Sequence, residues 1–67
     1  MLKANKLKAK IIENETSIED LSKKMMIDKS TFHRKMRNNS FFVSEVETIA
    51  KELHLSAEEI SDIFFAQ

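Results

Sequence analysis

The feature that most constrains this 67-residue sequence is the absence of both glycine and proline. Phosphate-cradling loops and dinucleotide-binding folds need Gly where the backbone approaches a ligand closely. The sequence therefore excludes nucleotide-binding enzymes of those kinds. Without the two strongest helix breakers, and with Leu, Lys, Glu, Ala, Met and Ile abundant, the chain favours helices joined by short polar turns. We expect a compact all-α fold.

The short length limits how such a fold is held together. A chain of this size buries roughly 60% of its unfolded surface, so we expect a single domain, residues 1–67, with one small core. No Cys is available for disulfides, and the two His lack the further ligands of a closed zinc site, so we expect no metal or other cofactor. With no signal-peptide pattern and no apolar run of about 18 residues, we expect a soluble cytoplasmic protein without membrane contact.

Charge is distributed unevenly along the chain, although the net charge is zero. Residues 1–37 carry ten Lys or Arg against five acidic residues, a net charge of +5, whereas residues 38–67 carry one Lys against six acidic residues, a net charge of −5. This asymmetry indicates a surface facing a polyanion, backed by an acidic surface. A chance excess of solvated Lys explains the same numbers, so the charge pattern alone leaves both interpretations open.

Hydrophobic residues at helical spacing predict an amphipathic first helix. Leu7 and Ile11 share one face, joined there by either Leu2 or Ile12, and Lys residues occupy the other faces. This helix is expected to end near Asn14.

Capping residues predict where four more helices begin: Ser17, Asp28, Ser44 and Ser56. Ser44 and Ser56 are each followed by Glu three residues later, which is the pattern of a capping box. His54 is expected to end the fourth helix. Residues 38–40 are expected to break the chain after the third helix, because Asn is the residue that most readily takes positive φ in place of Gly.

The second and third helices form a helix–turn–helix pattern at about residues 17–37. Two short helices are joined by a three-residue turn, and the segment 29–37 carries four cations and no acid. The major groove of B-DNA is about 12 Å wide and admits one helix, whose first two turns face the base edges. If Phe32 and Met36 are buried, the face turned outward presents Lys29, Ser30, His33 and Arg34.

The predicted DNA-reading residues are those of this third helix: Lys29, Ser30, Thr31, His33, Arg34 and Arg37. Arg34 is suited to a bidentate contact with guanine and Lys29 to the same atoms, each good pair contributing roughly 1–3 kcal/mol of discrimination. Ser17, at the start of the second helix, is a predicted phosphate contact because amides there attract anions. No paired acid–base site is visible, so no enzymatic activity is expected.

A resemblance to phage Cro and lambda-type repressors is carried by residues 17–36, SIEDLSKKMMIDKSTFHRKM, and by residues 49–56, IAKELHLS. It implies a five-helix, lambda-repressor-like domain with Ser22 as the small residue of the second helix. It also implies base contacts from Lys29, Ser30, Thr31 and Arg34. The implied function is a phage or prophage repressor, in a bacterial host cell, that binds a palindromic double-stranded operator as a weak homodimer.

The sequence departs from the family pattern at three places. Relatives usually carry Gly at the turn where this chain has Met26, and a left-handed Met costs on the order of 1 kcal/mol more than Gly, so the turn is expected to differ slightly. The loop after the third helix contains the apolar residues 41–43 where relatives have basic or small polar ones. Its phosphate contacts are therefore expected from backbone amides and from Asn38 and Asn39. Ile18 replaces a polar residue, which removes a further phosphate contact.

The C-terminal helix is the predicted dimer surface. Ile60, Ile63 and Phe64 form its apolar face, and one face cannot bury both Phe64 and Phe65 because they are adjacent. Packing of Phe64 against the first helix, with Phe65 incidental, is the simpler explanation. The resemblance implies instead a homodimer contact through Ile60, Phe64 or Phe65, with two recognition helices about 34 Å apart, one turn of DNA.

A second class of function stays open. Zero net charge, the apolar loop and the acidic C-terminal half also suit an antirepressor or modulator that binds another repressor protein rather than DNA. The methionines bear on the choice between DNA and a protein as the partner. Met25, Met26 and Met36 are predicted to be core residues, whereas an exposed Met-rich patch would form an adaptable binding surface.

Overall fold

A computed structural model describes residues 2–65 of the chain, and the secondary structure there is entirely helical. The elements are α1 (Ala4–Glu13), α2 (Ile18–Met25), α3 (Lys29–Asn38), α4 (Val43–Leu53) and α5 (Ala57–Ile60), which continues as a π-helical segment, Ser61–Phe65. The predicted all-α class and the five predicted helices are confirmed. Within the described residues, no helix has the length and apolar character needed to cross a bilayer.

The buried apolar side chains form one cluster to which all five helices contribute. Its buried members are Leu2, Leu7, Ile11, Leu21, Phe32, Met36, Val46, Ile49, Leu53, Ile63 and Phe64. Leu2 rather than Ile12 completes the face of α1, because Ile12 is 75% exposed. Phe41 anchors the loop before α4 in this cluster, with its ring edge-on at 5.2 Å from the Phe32 ring and 6.0 Å from the Phe64 ring.

Hydrogen bonds confirm several predicted helix ends. The Ser17 hydroxyl accepts from the amide of Asp20 at 3.1 Å, as an N-cap does. At the start of α5, Ser56 and Glu59 form the predicted capping box, with each side chain accepting from the other residue's amide at 3.1 and 2.9 Å. α4 ends at Leu53, with His54 as the left-handed C-cap residue at φ 54°. Side-chain capping therefore sets the starts of α2 and α5 locally, and a left-handed backbone ends α4.

The start of α4 differs from the prediction. The helix begins at Val43 with Phe42 in the N-cap position, so the prediction of Ser44 as the cap is wrong. Phe42 has no side-chain acceptor, but Glu45 accepts from the Phe42 amide at 2.8 Å. The Glu45 carboxylate is held beside this amide by an ion pair with Lys35, and that tertiary contact moves the helix start toward the core-anchored loop.

Met26 takes the left-handed conformation that Gly favours. Its φ and ψ are 59° and 41°, its amide donates to the Lys23 carbonyl, and the amide of Ile27 donates to the Ser22 carbonyl. The prediction of Met26 as a core residue is wrong, since its side chain is 91% exposed. Asn39 closes α3 in the same way at φ 51°, as predicted.

Candidate nucleic-acid interface

α2 and α3 are joined by residues 26–28. Ser22, the small residue of α2, is buried, and its hydroxyl donates to the Ile18 carbonyl at 2.7 Å, so its polar group is not left unpaired. Asp28 occupies the predicted N-cap position of α3 with extended backbone, without a side-chain capping bond. The result is two helices linked by a short turn, with α3 presented at the surface.

The exposed face of α3 is the one that the sequence predicts. Phe32 and Met36 are buried, and the predicted reading residues lie on the solvent side: Lys29, Ser30, His33, Arg34 and Arg37 are exposed and Thr31 is half-buried. The three residues predicted to contact phosphate are also exposed: Ser17, Asn38 and Asn39. Arg37 and the two Asn lie toward the C-terminal end of α3, while Lys29 and Ser30 lie in its first turn.

Lys35, the remaining cation of α3, is turned inward. Its Nζ donates to both Glu45 carboxylate oxygens at 2.9 and 2.8 Å, and the two side chains are only 11% and 12% exposed. The same ammonium lies 4.1 Å from the centroid of the Phe42 ring, a cation–π contact. This pair ties α3 to the start of α4. The sequence carries a signal for it, because Lys35 follows Phe32 by three residues and therefore shares its buried face.

Five ion pairs join the basic first half of the chain to the acidic second half. They are Lys3–Asp62, Lys6–Asp62, Lys10–Glu59, Lys24–Glu52 and Lys35–Glu45. The charge pattern leaves open a basic surface or solvated Lys, and folding brings the halves together, so five of the ten cations of the first half pair with acidic residues of the second. Among the first-half cations, those with no ion pair within residues 2–65 are Lys8, Lys29, Arg34 and Arg37. Among the cations of the first half, unpaired positive charge is thus concentrated on α3 and on one residue of α1, while Lys51 of α4 is the unpaired cation of the second half within residues 2–65.

Paired lysines just before α1 and within it hold the first helix against the C-terminal segment. Hydrogen bonds from Lys3 and Lys6 lower the pKa of Asp62 from 3.8 to about 2. The Lys3 bond to Asp62 raises the lysine pKa, and the bond between Lys10 and Glu59 raises the pKa of Lys10 and lowers that of Glu59. The amide of Lys3 also donates to the Ile63 carbonyl at 2.8 Å. Lys3, Lys6 and Lys10 therefore use their charges in ion pairs within the fold.

An open groove of about 460 Å³ runs between α1 and the starts of α2 and α3. Its lining residues are Lys8, Ile11, Ile12, Thr16, Ser17, Ile18, Glu19, Lys29 and His33. The groove brings together three predicted site residues, namely Ser17 at the start of α2 and Lys29 and His33 of α3. Lys8 and Ile12 were not predicted site residues. Their four-residue separation on α1 was the available signal, since it places them on one helix face.

The C-terminal candidates divide as the sequence predicts, with one Phe buried and one exposed. Phe64 is 2% exposed and fills the core, whereas Phe65 is 60% exposed and Ile60 is half-buried. Phe64 therefore has no exposed surface for contact with a second subunit, and the prediction of Phe64 as a dimer residue is wrong. Ile60 and Phe65 stay available for such a contact.

Within residues 2–65, no group of three or more His, Cys, Asp or Glu side chains is arranged to hold a metal ion. Comparison of the chain with known protein families, with curated proteins and with solved structures finds no match. The assignment of function therefore depends on the geometry and charge of the chain itself.

Proposed function

We propose that this chain is a sequence-specific DNA-binding transcriptional regulator. More specifically, we propose a Cro-like phage or prophage repressor that binds a palindromic operator as a dimer in the cytoplasm of a bacterial host. The exposed face of α3 carries the proposal. It presents Lys29, Arg34 and Arg37, three cations without an ion pair among residues 2–65, with Ser30 and His33 beside them.

Recognition in this proposal uses the first two turns of α3 in the major groove. Lys29 and Ser30 belong to the first turn, and His33 and Arg34 to the second, which are the turns that face base edges in helix–turn–helix proteins. Arg34 offers the planar fork of donors that fits guanine O6 and N7. Arg37 extends the same positive face toward the flanking backbone.

Phosphate anchoring begins at Ser17. Its Oγ accepts from the amide of Asp20, so the hydroxyl hydrogen is available to donate to a phosphate oxygen. The free amides and the dipole at the start of a helix favour an anion there. Asn38 and Asn39 supply polar donors at the other end of α3. Together these contacts fix the register of α3 along the duplex without reading sequence.

The orientation of α3 is set before DNA binds. The Lys35–Glu45 pair joins its C-terminal half to α4, and the left-handed Met26 closes the turn at its other end. Because the helix is already held in place, binding requires little ordering of the protein.

A salt titration tests the proposal. We would select duplexes from a random pool and measure their affinity, and that of an unrelated duplex, by fluorescence anisotropy across salt concentration. The logarithm of the affinity should fall with the logarithm of salt by about 0.9 for each phosphate neutralised. Arg34→Ala should weaken the selected duplex by about 1–3 kcal/mol and the unrelated duplex less.

Lys51→Ala is the matched control, since Lys51 is exposed on α4 and has no ion pair within residues 2–65. It should change neither affinity. Absent or salt-independent DNA binding would refute the proposal.

A modulator that binds another repressor is the second candidate. The observation in its favour is the apolar pair at the start of α4, where Phe42 is 67% and Val43 is 72% exposed. Tight association with a second regulator, lost in Phe42→Ser, together with absent DNA binding, would decide for this function. DNA binding that Phe42→Ser leaves unchanged would decide against it.

A further inference from the structure

We infer that the groove between α1 and the starts of α2 and α3 seats the sugar–phosphate backbone of one DNA strand. Lys8 binds a phosphate there, and Ile12 packs on the neighbouring deoxyribose. The inference rests on the proposed function and adds α1 to an interface that sequence analysis confines to α2, α3 and the loop that follows.

The charges of the groove attract an anion. Lys8 and Lys29 have no ion pair within residues 2–65, and His33 lies on the same lining. Glu19 is the one acidic lining residue, and Lys23 lies 3.7 Å from its carboxylate. Lys29 is also proposed to reach base edges, so a neutral or cationic ligand in the groove would leave Lys8 without a partner.

The apolar part of the lining indicates what kind of anion fits. Ile12 is mostly exposed, Ile18 is half-buried, and both lie in the groove together with Lys8. Lys8 and Ile12 are four residues apart, about 6 Å along the helix axis. A cation and an apolar side chain one helical turn apart suit the DNA backbone, in which charged phosphates alternate with the apolar carbons of the sugars. A free phosphate ion would leave Ile12 uncovered.

The position of the groove favours DNA over an acidic protein segment. Lys29 and His33 belong to α3, so any occupant of the groove touches the helix proposed to read bases. The backbone of the bound duplex lies alongside that helix during recognition, and it can occupy the groove without displacing α3 from the bases. An acidic peptide in the same place would compete with DNA.

Two substitutions separate the charged and the apolar contributions. Lys8→Ala should reduce the slope of log affinity against log salt by about 0.9 for an unrelated duplex, because one phosphate contact is lost. Ile12→Ala should weaken binding roughly fourfold, the equivalent of about one buried methylene, with the slope unchanged. Lys51→Ala should alter neither quantity. Both groove residues are exposed, so circular dichroism should show wild-type folding in all three variants.

The outcomes distinguish this inference from the proposed function. If the wild type binds DNA and Lys8→Ala has the same salt slope as Lys51→Ala, the groove does not hold the backbone and the inference is overturned, while the proposed function stands. Unchanged affinity in Ile12→Ala overturns the sugar contact. If the wild type shows no salt-dependent DNA binding, the proposed function and this inference both fail.

Discussion

Replacing Lys35 by Met is expected to destabilise the domain, because it strands the Glu45 carboxylate in a nearly dry site. Glu45 would lose its bonds of 2.9 and 2.8 Å to the ammonium and keep only the amide of Phe42. Breaking a buried ion pair by removing one partner costs about 3–5 kcal/mol. The surviving amide bond and the slight exposure of the carboxylate place the expected loss near the lower end, at about 3 kcal/mol.

Urea unfolding followed by circular dichroism measures this loss. A domain of 67 residues has a free energy of unfolding of roughly 3–10 kcal/mol, so the loss is a large fraction of the total. With an m-value of about 1 kcal/mol/M for a small domain, the midpoint should fall by about 3 M. If the wild-type midpoint is lower than this, the variant should be largely unfolded without urea.

Two controls make the reasoning refutable. Lys35→Met combined with Glu45→Gln should recover much of the stability, since a neutral amide can still accept from the Phe42 amide without stranding a charge. Lys23→Met removes the exposed pair with Glu19 at 3.7 Å and should cost less than about 0.5 kcal/mol. A loss below about 1 kcal/mol in Lys35→Met, or a double variant no more stable than the single one, would refute the account of a buried charge pair.

Three further predictions concern the framework around α2 and α1. Ser17→Ala should lower the free energy of unfolding by about 1 kcal/mol by removing the N-cap, and equal urea midpoints would contradict this. Met26→Gly should raise it by about 1 kcal/mol because left-handed backbone suits Gly, and a lower midpoint would contradict the assigned strain. The lowered pKa of Asp62, about 2 instead of 3.8, means that its bonds to Lys3 and Lys6 stabilise the fold above pH 4 and that this contribution disappears as the pH falls toward 2. Asp62→Asn should flatten this part of the stability–pH curve, and an unchanged acid slope would count against the pairing.

Local spacing and capping predict most of the fold. Ser17 and Ser56 mark helix starts because their hydroxyls accept from amides three residues away, a contact that sequence order determines. The outward face of α3 follows equally from the four-residue spacing of Phe32 and Met36. These predictions succeed because each depends on atoms within one helical turn.

The predictions fail where distant contacts outweigh local ones. Ser44 has the residue pattern of a cap, yet α4 begins earlier. The reason is that Lys35, ten residues before Glu45, holds the Glu45 carboxylate beside the amide of Phe42. The neutralisation of α1 depends in the same way on Asp62, which is 59 residues from Lys3. A local sequence pattern does not indicate contacts between residues so far apart in the chain. A count of Lys and Arg in the sequence therefore overestimates the positive charge that is available for a ligand.

The internal pairing also reconciles a net charge of zero with DNA binding. Four first-half cations lack an ion pair within residues 2–65, namely Lys8, Lys29, Arg34 and Arg37, so one protomer can neutralise at most about four phosphates with this set. The salt slope of a monomer should then be no steeper than about −4, since each phosphate contributes about −0.9. Two protomers on a palindrome double the set and allow a slope of about −7. A slope steeper than −4 on a selected duplex, with half that value on a single half-site, would therefore identify a dimer on DNA even if the free protein is monomeric.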